Sequence, residues 1–257
     1  MNQDRNFDDL VEKFEKNIYG TEKGDIREAV MWRDLKNILN LFPQNKPLRI
    51  LDAGGGLGQL SQKMAKLGHH VILCDISQKM LTHAQQKIEK QGLSSQYEFI
   101  HSPVQEIGGY LDKPVDIILL HAVMEWLQTP FLTLSYLNQY LSSQGVFSIM
   151  FYNYTGLEFK NLICGNIPHV LAGMPYRKRF KLQPQQAFHP QNVYQYIQKM
   201  PLHILGKSGV RCIHDYIGNR RVGEYSFQQL LEVELALCKQ EPYLSLGRYI
   251  HVWAQKP

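Results

Sequence analysis

The fold of this chain is decided by the stretch Leu51-Asp52-Ala53-Gly54-Gly55-Gly56-Leu57-Gly58. The apolar run at 48–51 predicts a buried strand that leads into an acidic residue, and the pattern from about 57 to 67 predicts a helix. Glycine has no Cβ, so the backbone between them can adopt positive φ angles and approach a ligand closely. The amino terminus of the helix then offers free N–H groups to a polar or anionic group. The stretch therefore predicts a strand–turn–helix unit that binds a ligand.

Short apolar runs and helical patterns alternate around this turn. Strands are predicted at 48–51, 70–74, 97–101, 115–120 and 145–152, and helices at 57–67, 77–90 and 129–142, with a short helix opened by Pro103. Strands that alternate with helices form parallel βαβ units. The order therefore predicts a doubly wound α/β domain.

The segments before and after this alternation have different sequence patterns. Amphipathic helices are predicted at 3–18 and 24–42, and the alternation breaks after Asn153. Helices and an irregular basic loop are expected at 154–200, followed by a strand at 202–212, a helix at 225–239 and a strand at 248–254. We expect one domain over 1–257 with a sheet of about seven strands. Its parts are amino-terminal helices (1–43), a cofactor-binding core (48–153), an inserted helical and basic substrate cap (154–200), and closing strands and a helix (201–257).

The composition is that of a chain that forms a core. Hydrophobic residues make up 44% and charged residues 20%, which excludes a disordered chain, a collagen-like fibre and a coiled coil. No apolar run approaches the roughly 20 residues that span a bilayer, and the first residues lack the apolar core of a signal peptide. The four cysteines are scattered without zinc spacing. We expect a cytoplasmic protein with no membrane segment and no metal.

The positive charge lies in the last two fifths of the chain. Residues 1–153 carry 15 Lys and Arg against 17 Asp and Glu, whereas residues 154–257 carry 13 against 6. Lys and Arg displace counterions from phosphates, so a polyanionic partner is one explanation. A basic surface that only keeps the protein soluble is the other.

The second predicted strand indicates the class of cofactor. It ends at Asp75, where an acidic residue accepts the ribose hydroxyls of a nucleoside, although Asp75 taken alone could also cap a helix. A dinucleotide site prefers G-x-G-x-x-G, and Gln59 occupies the position of its third glycine, which disfavours a nicotinamide dehydrogenase. The pattern Asp52-x-Gly54-x-Gly56-x-Gly58 instead resembles the first motif of the Rossmann-like S-adenosylmethionine-dependent methyltransferases.

Segments outside the cofactor motifs indicate one family within this class of methyltransferases. They include Met150-Phe151-Tyr152-Asn153, Gly206-Lys207-Ser208-Gly209-Val210-Arg211 and the segments at 4–9, 17–20, 71–75, 240–243 and 247–252. With the glycine turn, the chain resembles the bacterial tRNA 5-carboxymethoxyuridine methyltransferases over nearly its full length. The resemblance implies a Rossmann-like seven-stranded fold and S-adenosyl-L-methionine as cofactor. It also implies methylation of the carboxylate of 5-carboxymethoxyuridine at the wobble position of tRNA, which forms 5-methoxycarbonylmethoxyuridine.

The resemblance also assigns the cofactor contacts. By position in the family they fall on Arg27, Gly54, Gly55, Asp75, Val104, Gln105 and His121. Arg27 is expected to pair with the carboxylate of the cofactor. Without the family match, Arg27 could equally be a solvated arginine on the polar face of a helix, and His121 a polar cap on a strand.

The acceptor implied by the family needs no general base. A free carboxyl group has a pKa near ~4 and is ionised at neutral pH, so catalysis reduces to positioning the reactants and removing water. We therefore nominate no catalytic acid or base. His121, Tyr152, Tyr243 and Arg248 are expected to orient the acceptor carboxylate or to line the pocket.

A basic and aromatic segment is expected to contact the RNA. In the six residues from Tyr176 to Lys181, two aromatic residues are interleaved with Arg177, Lys178, Arg179 and Lys181. This composition suits phosphate contacts and base stacking on a splayed anticodon loop. A basic loop that is only exposed to solvent would show the same sequence pattern. Arg211, Arg220 and Arg221 could extend the basic patch.

Two other function classes remain open from the sequence. The same cofactor core could methylate a small-molecule carboxylic acid or a quinone precursor, although the basic surplus after residue 153 argues against this. The fold could also serve a non-catalytic RNA-binding or cofactor-sensing module, because a fold does not fix a function. The sequence leaves the oligomeric state open.

Overall fold

The computed structural model describes residues 4–9, 20–175, 183–218 and 223–257. Its centre is a seven-stranded sheet in the order β3-β2-β1-β4-β5-β7-β6. The strands are β1 (Arg49–Ala53), β2 (His70–Asp75), β3 (Tyr97–His101), β4 (Val115–His121), β5 (Leu141–Tyr152), β6 (His203–Val210) and β7 (Tyr249–Gln255). The first five strands run parallel, and β7 pairs antiparallel with both β5 and β6. The predicted Rossmann-like α/β class with seven strands is confirmed.

Helices cover both faces of the sheet. The described helices are α1 (Glu22–Leu39), α2 (Gln59–Ala65), α3 (Gln78–Lys90), α4 (Pro130–Asn138), α5 (Tyr154–Ile163), α6 (Ile167–Leu171), α7 (Pro190–Lys199), α8 (Phe227–Leu237) and α9 (Tyr243–Leu246). Short 3₁₀ helices follow β3 at Val104–Gly109 and β4 at Met124–Trp126. Among the described residues, no helix is long and apolar enough to cross a membrane.

The continuous apolar run of β4 is buried on both faces, as expected for a central parallel strand. Ile118 and Leu120 belong to a large core cluster that includes residues of α4 and α7. Ile117 and Leu119 point into a second cluster that includes residues of α1 and α2. Strand β4 therefore forms the middle of the molecule, and its carboxyl end lies beside those of β1 and β5.

The structure corrects two boundaries at the ends of elements. The helix predicted at 24–42 runs from Glu22 to Leu39, so it ends before Pro43 is reached. Strand β5 begins at Leu141, within the helix predicted at 129–142, because Leu141 pairs with Val115 before the register shifts. In the predicted cap, the helix Pro190–Lys199 packs into the main core through Val193 and Ile197.

The helix predicted at 3–18 is wrong where the structure describes it. Residues 4–9 form an irregular strap, and residues 10–19 lie outside the described part of the chain. The polar side chains of the strap bond to distant loops instead of supporting a helix. Asn6 donates to the carbonyl oxygen of Ile76 at 3.2 Å, and Asp8 accepts from the hydroxyl of Ser77 at 2.6 Å.

Asn153 joins the end of the sheet to the segment before β7. Its side-chain amide is fully buried and donates to the carbonyl oxygens of Ser245 and Gly247 at 2.8 and 2.7 Å. Its side-chain oxygen accepts from the N–H of Thr155 at 3.0 Å and caps α5. One side chain therefore fixes where the chain leaves β5 and where it returns to β7.

Replacing Asn153 by alanine is expected to lower the free energy of unfolding by about 2–4 kcal/mol, because it leaves buried carbonyl groups without donors and removes a helix cap. Urea unfolding followed by circular dichroism measures the change. Asn166→Ala is the control, because among the described residues the side chain of Asn166 makes a single, exposed hydrogen bond, to Asn161. Equal stability of the two variants would contradict this role of Asn153.

Candidate functional site

The turn after β1 is packed tightly against its neighbours. The N–H groups of Gly54 and Gly55 donate to the carbonyl oxygen of Cys74, at 2.8 and 3.2 Å. Gly54 has a φ of +69°, and a Cβ there would lie 2.7 Å from a methyl carbon of Val123. A Cβ on Gly55 would lie 2.5 Å from the carboxyl carbon of Asp52. Both positions therefore need glycine, at Gly54 for the conformation as well as the space.

Asp75 at the end of β2 is fixed by the same turn. Its two carboxylate oxygens accept the N–H groups of Gly56 and Ser77, at 2.9 and 2.8 Å. Burial raises the pKa of Asp75 to about 6, although those two hydrogen bonds oppose the shift. Burial also raises the pKa of the adjacent Asp52 to about 6. Two buried carboxyl groups, both ionised at neutral pH, therefore lie beneath the turn.

A pocket opens above the turn, between the carboxyl ends of the strands. It encloses about 1100 Å³ of space, including its open mouth. The structure brings all seven predicted cofactor residues to its walls, namely Arg27, Gly54, Gly55, Asp75, Val104, Gln105 and His121. We call this the glycine-turn pocket.

One wall of the glycine-turn pocket carries an unused acceptor. The side-chain oxygen of Gln105 is buried and has no hydrogen-bond partner among the described residues, while its side-chain amide donates to Asp4 at 2.7 Å. A buried acceptor without a donor is unfavourable, so this oxygen favours a ligand that donates a hydrogen bond there.

The strap of residues 4–9 closes one side of the glycine-turn pocket. Asp4 accepts from Gln105 and from the N–H of Gln128, the latter at 2.8 Å. The ring of Phe7 meets the ring of Trp126 edge to face, with 4.9 Å between the centroids. Sequence analysis missed this role, because the contacts join residues about 100 positions apart.

A second polar group lies at the same edge of the sheet, where β5, β6 and β7 meet. We call Arg211, Arg248 and Asp215, with the rings of Tyr152 and Tyr249, the arginine cluster. The guanidinium carbon of Arg248 lies 4.9 Å from the ring centroid of Tyr152, and that of Arg211 lies 5.6 Å from the ring centroid of Tyr249. The structure therefore brings together Tyr152 and Arg248, which were predicted to orient the acceptor carboxylate, and Arg211, which was predicted to extend the basic patch.

The arginine cluster carries one more positive than negative charge. The carboxylate of Asp215 lies 3.2 Å from Nη2 of Arg211 and 3.7 Å from Nε of Arg248. A hydrogen bond from His214 and the charges of both arginines lower the pKa of Asp215, although burial alone would raise it. Nε of Arg211 is buried without an acceptor among the described residues. The cluster is thus suited to an additional anion.

Tyr243 occupies a different place from the other predicted acceptor residues. It packs beside Tyr249 against a buried cluster that includes Met150 and Val210. Met150 also lines the glycine-turn pocket, so Tyr243 supports the boundary between that pocket and the arginine cluster.

Several predicted residues lie outside the described part of the chain. They are Arg177, Lys178, Arg179 and Lys181, with Tyr176 and Phe180 of the same segment, and Arg220 and Arg221. Their contact with RNA remains a prediction.

Glu125 is a buried acid that sequence analysis did not select. It follows β4 on the 3₁₀ helix Met124–Trp126 and is fully buried. Burial raises its pKa to about 8, opposed by the positive charge of Arg27, and neither carboxyl oxygen has a hydrogen-bond partner among the described residues. The charge of Arg27 also acts on Tyr249. Glu125 therefore lies within electrostatic range of Arg27 and of Tyr152 and Tyr249.

Within residues 4–9, 20–175, 183–218 and 223–257, no group of three or more His, Cys, Asp or Glu residues is arranged to hold a metal ion.

Comparison with known proteins places the chain among methyltransferases. A family model described as "Methyltransferase domain" matches residues 51–149. The chain is 48% identical over 256 residues to the tRNA 5-carboxymethoxyuridine methyltransferase of Escherichia coli (strain K12), which covers 99% of this chain and 97% of that protein. A ubiquinone/menaquinone biosynthesis C-methyltransferase of Bradyrhizobium diazoefficiens is 29% identical over only 90 residues, 34% of this chain and 35% of that protein.

A solved structure shares the fold. The magnesium protoporphyrin IX methyltransferase of Synechocystis PCC 6803, crystallised with bound S-adenosylhomocysteine, superposes with a TM-score of 0.65. The match covers 98% of this chain and 96% of that chain at 16% identity. The likeness supports the seven-stranded architecture.

Replacing Glu125 by glutamine is expected to stabilise the protein relative to wild type, and by more as the pH rises. The pKa of Glu125 is about 8 in the folded protein and 4.5, its ordinary value, in the unfolded chain. The contribution of Glu125 to the stability of the wild-type protein is therefore greatest below pH 4.5, and it is lost as the pH rises through 8. Glutamine stays neutral, so the free energy of unfolding of Glu125→Gln minus that of wild type should grow by roughly 3 kcal/mol between about pH 5 and pH 8.

Urea unfolding at several pH values measures this difference, and the exposed Glu106 supplies the control variant Glu106→Gln. A difference between Glu125→Gln and wild type that stays constant with pH would show that Glu125 is ionised in the folded protein.

Proposed function

The chain belongs to the family of the tRNA 5-carboxymethoxyuridine methyltransferases, and from this premise we propose that it methylates the carboxylate of 5-carboxymethoxyuridine at the wobble position of tRNA. The product is the methyl ester, 5-methoxycarbonylmethoxyuridine. The observation that carries the proposal is the juxtaposition of a nucleoside-type pocket and an arginine cluster with an excess positive charge along one edge of the sheet.

The glycine-turn pocket fits S-adenosylmethionine, the methyl donor of the family. Asp75 offers a carboxylate for ribose hydroxyls, and the unpaired oxygen of Gln105 can accept an N–H of a base. Gly54 and Gly55 leave space where a Cβ would not fit. Arg27 supplies a positive charge for a carboxylate. When bound, S-adenosylmethionine supplies an electrophilic methyl group.

The residues of the arginine cluster suit the acceptor. A carboxylate is already ionised at neutral pH, so these residues need only hold it and exclude water. Arg211 and Arg248 would attract the carboxylate, and the ring of Tyr152 would limit its movement. Because Asp215 already engages both arginines, their hold on the acceptor is partial. A partial hold avoids stabilising the ground state of the nucleophilic oxygen.

The remainder of the tRNA requires a larger surface than these two sites. The basic surplus of residues 154–257 suits the phosphates of an anticodon loop. Arg177, Lys178, Arg179 and Lys181 would add phosphate contacts, and the aromatic residues among them would stack on splayed bases. Such a substrate implies work in the cytoplasm.

Incubation of the protein with S-adenosylmethionine and tRNA that carries 5-carboxymethoxyuridine tests the proposed function. Mass spectrometry of the nucleosides should find this nucleoside heavier by one methyl group. No such gain, under conditions in which the protein binds the donor, would reject the proposed substrate.

Arg248→Gln is expected to raise the KM for this tRNA about 10–100-fold, because a charge-assisted hydrogen bond to the acceptor is lost. Affinity for S-adenosylhomocysteine should stay unchanged. Arg49→Gln is a matched control, since it removes an arginine that pairs with Asp112 at 2.6 Å near the opposite edge of the sheet. Equal KM values for the two variants would exclude Arg248 from acceptor binding.

Affinity for S-adenosylhomocysteine is expected to fall as the pH drops below about 6, because Asp75 then gains a proton and accepts fewer hydrogen bonds. Asp75→Asn should weaken binding about 10–100-fold at neutral pH and flatten the pH dependence. Isothermal titration calorimetry measures both effects. Equal wild-type affinity at about pH 5 and pH 8 would rule out an ionised Asp75 as the ribose acceptor.

A further inference from the structure

A chain of hydrogen bonds runs from helix α1 across three neighbouring strands to the glycine-turn pocket. Asp34 Oδ2 lies 3.0 Å from Nδ1 of His251, and Nε2 of His251 lies 2.8 Å from the hydroxyl of Ser148. The same hydroxyl lies 2.8 Å from Nε2 of His121, which lines the pocket. Asp34, His251 and Ser148 are fully buried. Together these residues form a relay whose far end is out of contact with solvent.

The other carboxylate oxygen of Asp34 is held by two cations. Arg33 donates to Oδ1 from Nη2 and Nε at 2.8 and 3.1 Å, and Nζ of Lys239 lies 3.3 Å from it. A protonated His251 would be a third, fully buried cation beside one carboxylate, which is unfavourable. With His251 neutral, its single ring hydrogen lies on Nδ1 and faces Asp34.

The position of that hydrogen fixes every other one in the relay. Neutral His251 has a lone pair on Nε2, which accepts the hydroxyl hydrogen of Ser148. The oxygen of Ser148 then accepts a hydrogen from Nε2 of His121. Burial and the nearby positive charge of Arg27 lower the pKa of His121, so its ring is neutral as well. Its hydrogen is on Nε2, and Nδ1 keeps a lone pair.

Nδ1 of His121 has no hydrogen-bond partner within the described ranges of the chain. The same pocket also presents the guanidinium group of Arg27. A cation and a neutral acceptor in one pocket complement a zwitterion, because the cation attracts a carboxylate and the lone pair accepts from an ammonium group.

We infer that Asp34, His251 and Ser148 are positioning residues, which hold His121 as the Nε2–H tautomer so that its Nδ1 accepts a hydrogen bond from the ammonium group of the donor's amino-acid part. The inference rests on the proposed function for the identity of the donor. It assigns the amino-acid end of the ligand to Arg27 and His121, and it explains why three buried polar residues far from the reacting atoms are present.

Asp34→Asn reverses the relay. Arg33 and Lys239 donate to the Oδ1 position, so the amide oxygen takes that place and the amide NH₂ faces His251. His251 must then carry its hydrogen on Nε2, Ser148 donates to His121, and Nδ1 of His121 becomes a donor. A donor opposite an ammonium group repels it.

Two ligands separate this effect from a loss of structure. S-adenosylhomocysteine contains the amino-acid part, whereas 5′-methylthioadenosine has the same nucleoside without it. Asp34→Asn is expected to weaken binding of S-adenosylhomocysteine about 10–100-fold and to leave binding of 5′-methylthioadenosine within about twofold. Long-range ¹H–¹⁵N correlation spectra should show His121 protonated at Nε2 in wild type and at Nδ1 in the variant. Ser143→Ala, which removes an exposed hydroxyl from the same strand as Ser148, is the matched control with unchanged binding.

Ser148→Ala tests the same relay without altering a charge. It releases His121 from its fixed tautomer and is expected to weaken S-adenosylhomocysteine about 3–10-fold, again without an effect on 5′-methylthioadenosine. This variant decides the matter if Asp34→Asn does not fold. The inference is overturned if a folded relay variant binds S-adenosylhomocysteine as wild type does, loses both ligands equally, or leaves the tautomer of His121 unchanged. If wild type and variants bind both ligands as expected but tRNA is not methylated, the proposed function is rejected and the inference about the relay stands.

Discussion

The close approach of Gly54 to Val123 is the constraint on which the ligand site depends. Because no Cβ intervenes, the backbone leaves β1 in contact with the loop after β4 and turns back towards β2. The turn then delivers the N–H of Gly56 to Asp75, which fixes that carboxylate at the base of the pocket. A side chain at position 54 would press on Val123 and would be strained at the φ of +69°. The pocket and its acid are therefore consequences of one steric requirement.

The placement of β7 between β5 and β6 supplies the other half of the site. Tyr249 begins β7 beside both Tyr152 and Val210, so the residues next to them, Arg248 and Arg211, arrive at the same edge. The same antiparallel pairing sets His251 near Ser148, in the interior of the sheet. A strand near the carboxyl terminus thus supports both the arginine cluster and the relay to His121.

Short sequence patterns predicted the elements that depend on interactions between residues near one another in the chain. The glycine turn, the central strands and the helix after Ser77 follow from apolar runs, caps and missing Cβ atoms, and each is found close to its expected place. The strap was predicted as a helix because its amphipathic spacing does not reveal that Asn6 and Asp8 bond to a loop some 70 residues away. The bond between Asp34 and His251 spans 217 positions. Nothing near either residue in the sequence signals it, and the resemblance that located His121 gave no indication of its support.

The edge of the sheet separates its charges in a way that suits the two reactants. Asp52 and Asp75 place negative charge under the half formed by β1 and β2, whereas Arg211 and Arg248 place a net positive charge at β6 and β7. The acceptor carries a carboxylate, which the positive charge of Arg211 and Arg248 complements. S-adenosylmethionine carries both a sulfonium cation and a carboxylate, and its pocket presents both Asp75 and Arg27. Glu125 lies between the halves with its pKa raised to about 8, so it adds no negative charge that would compete with the acceptor at neutral pH. A neutral Glu125 therefore does not offset the positive charge that Arg211 and Arg248 supply.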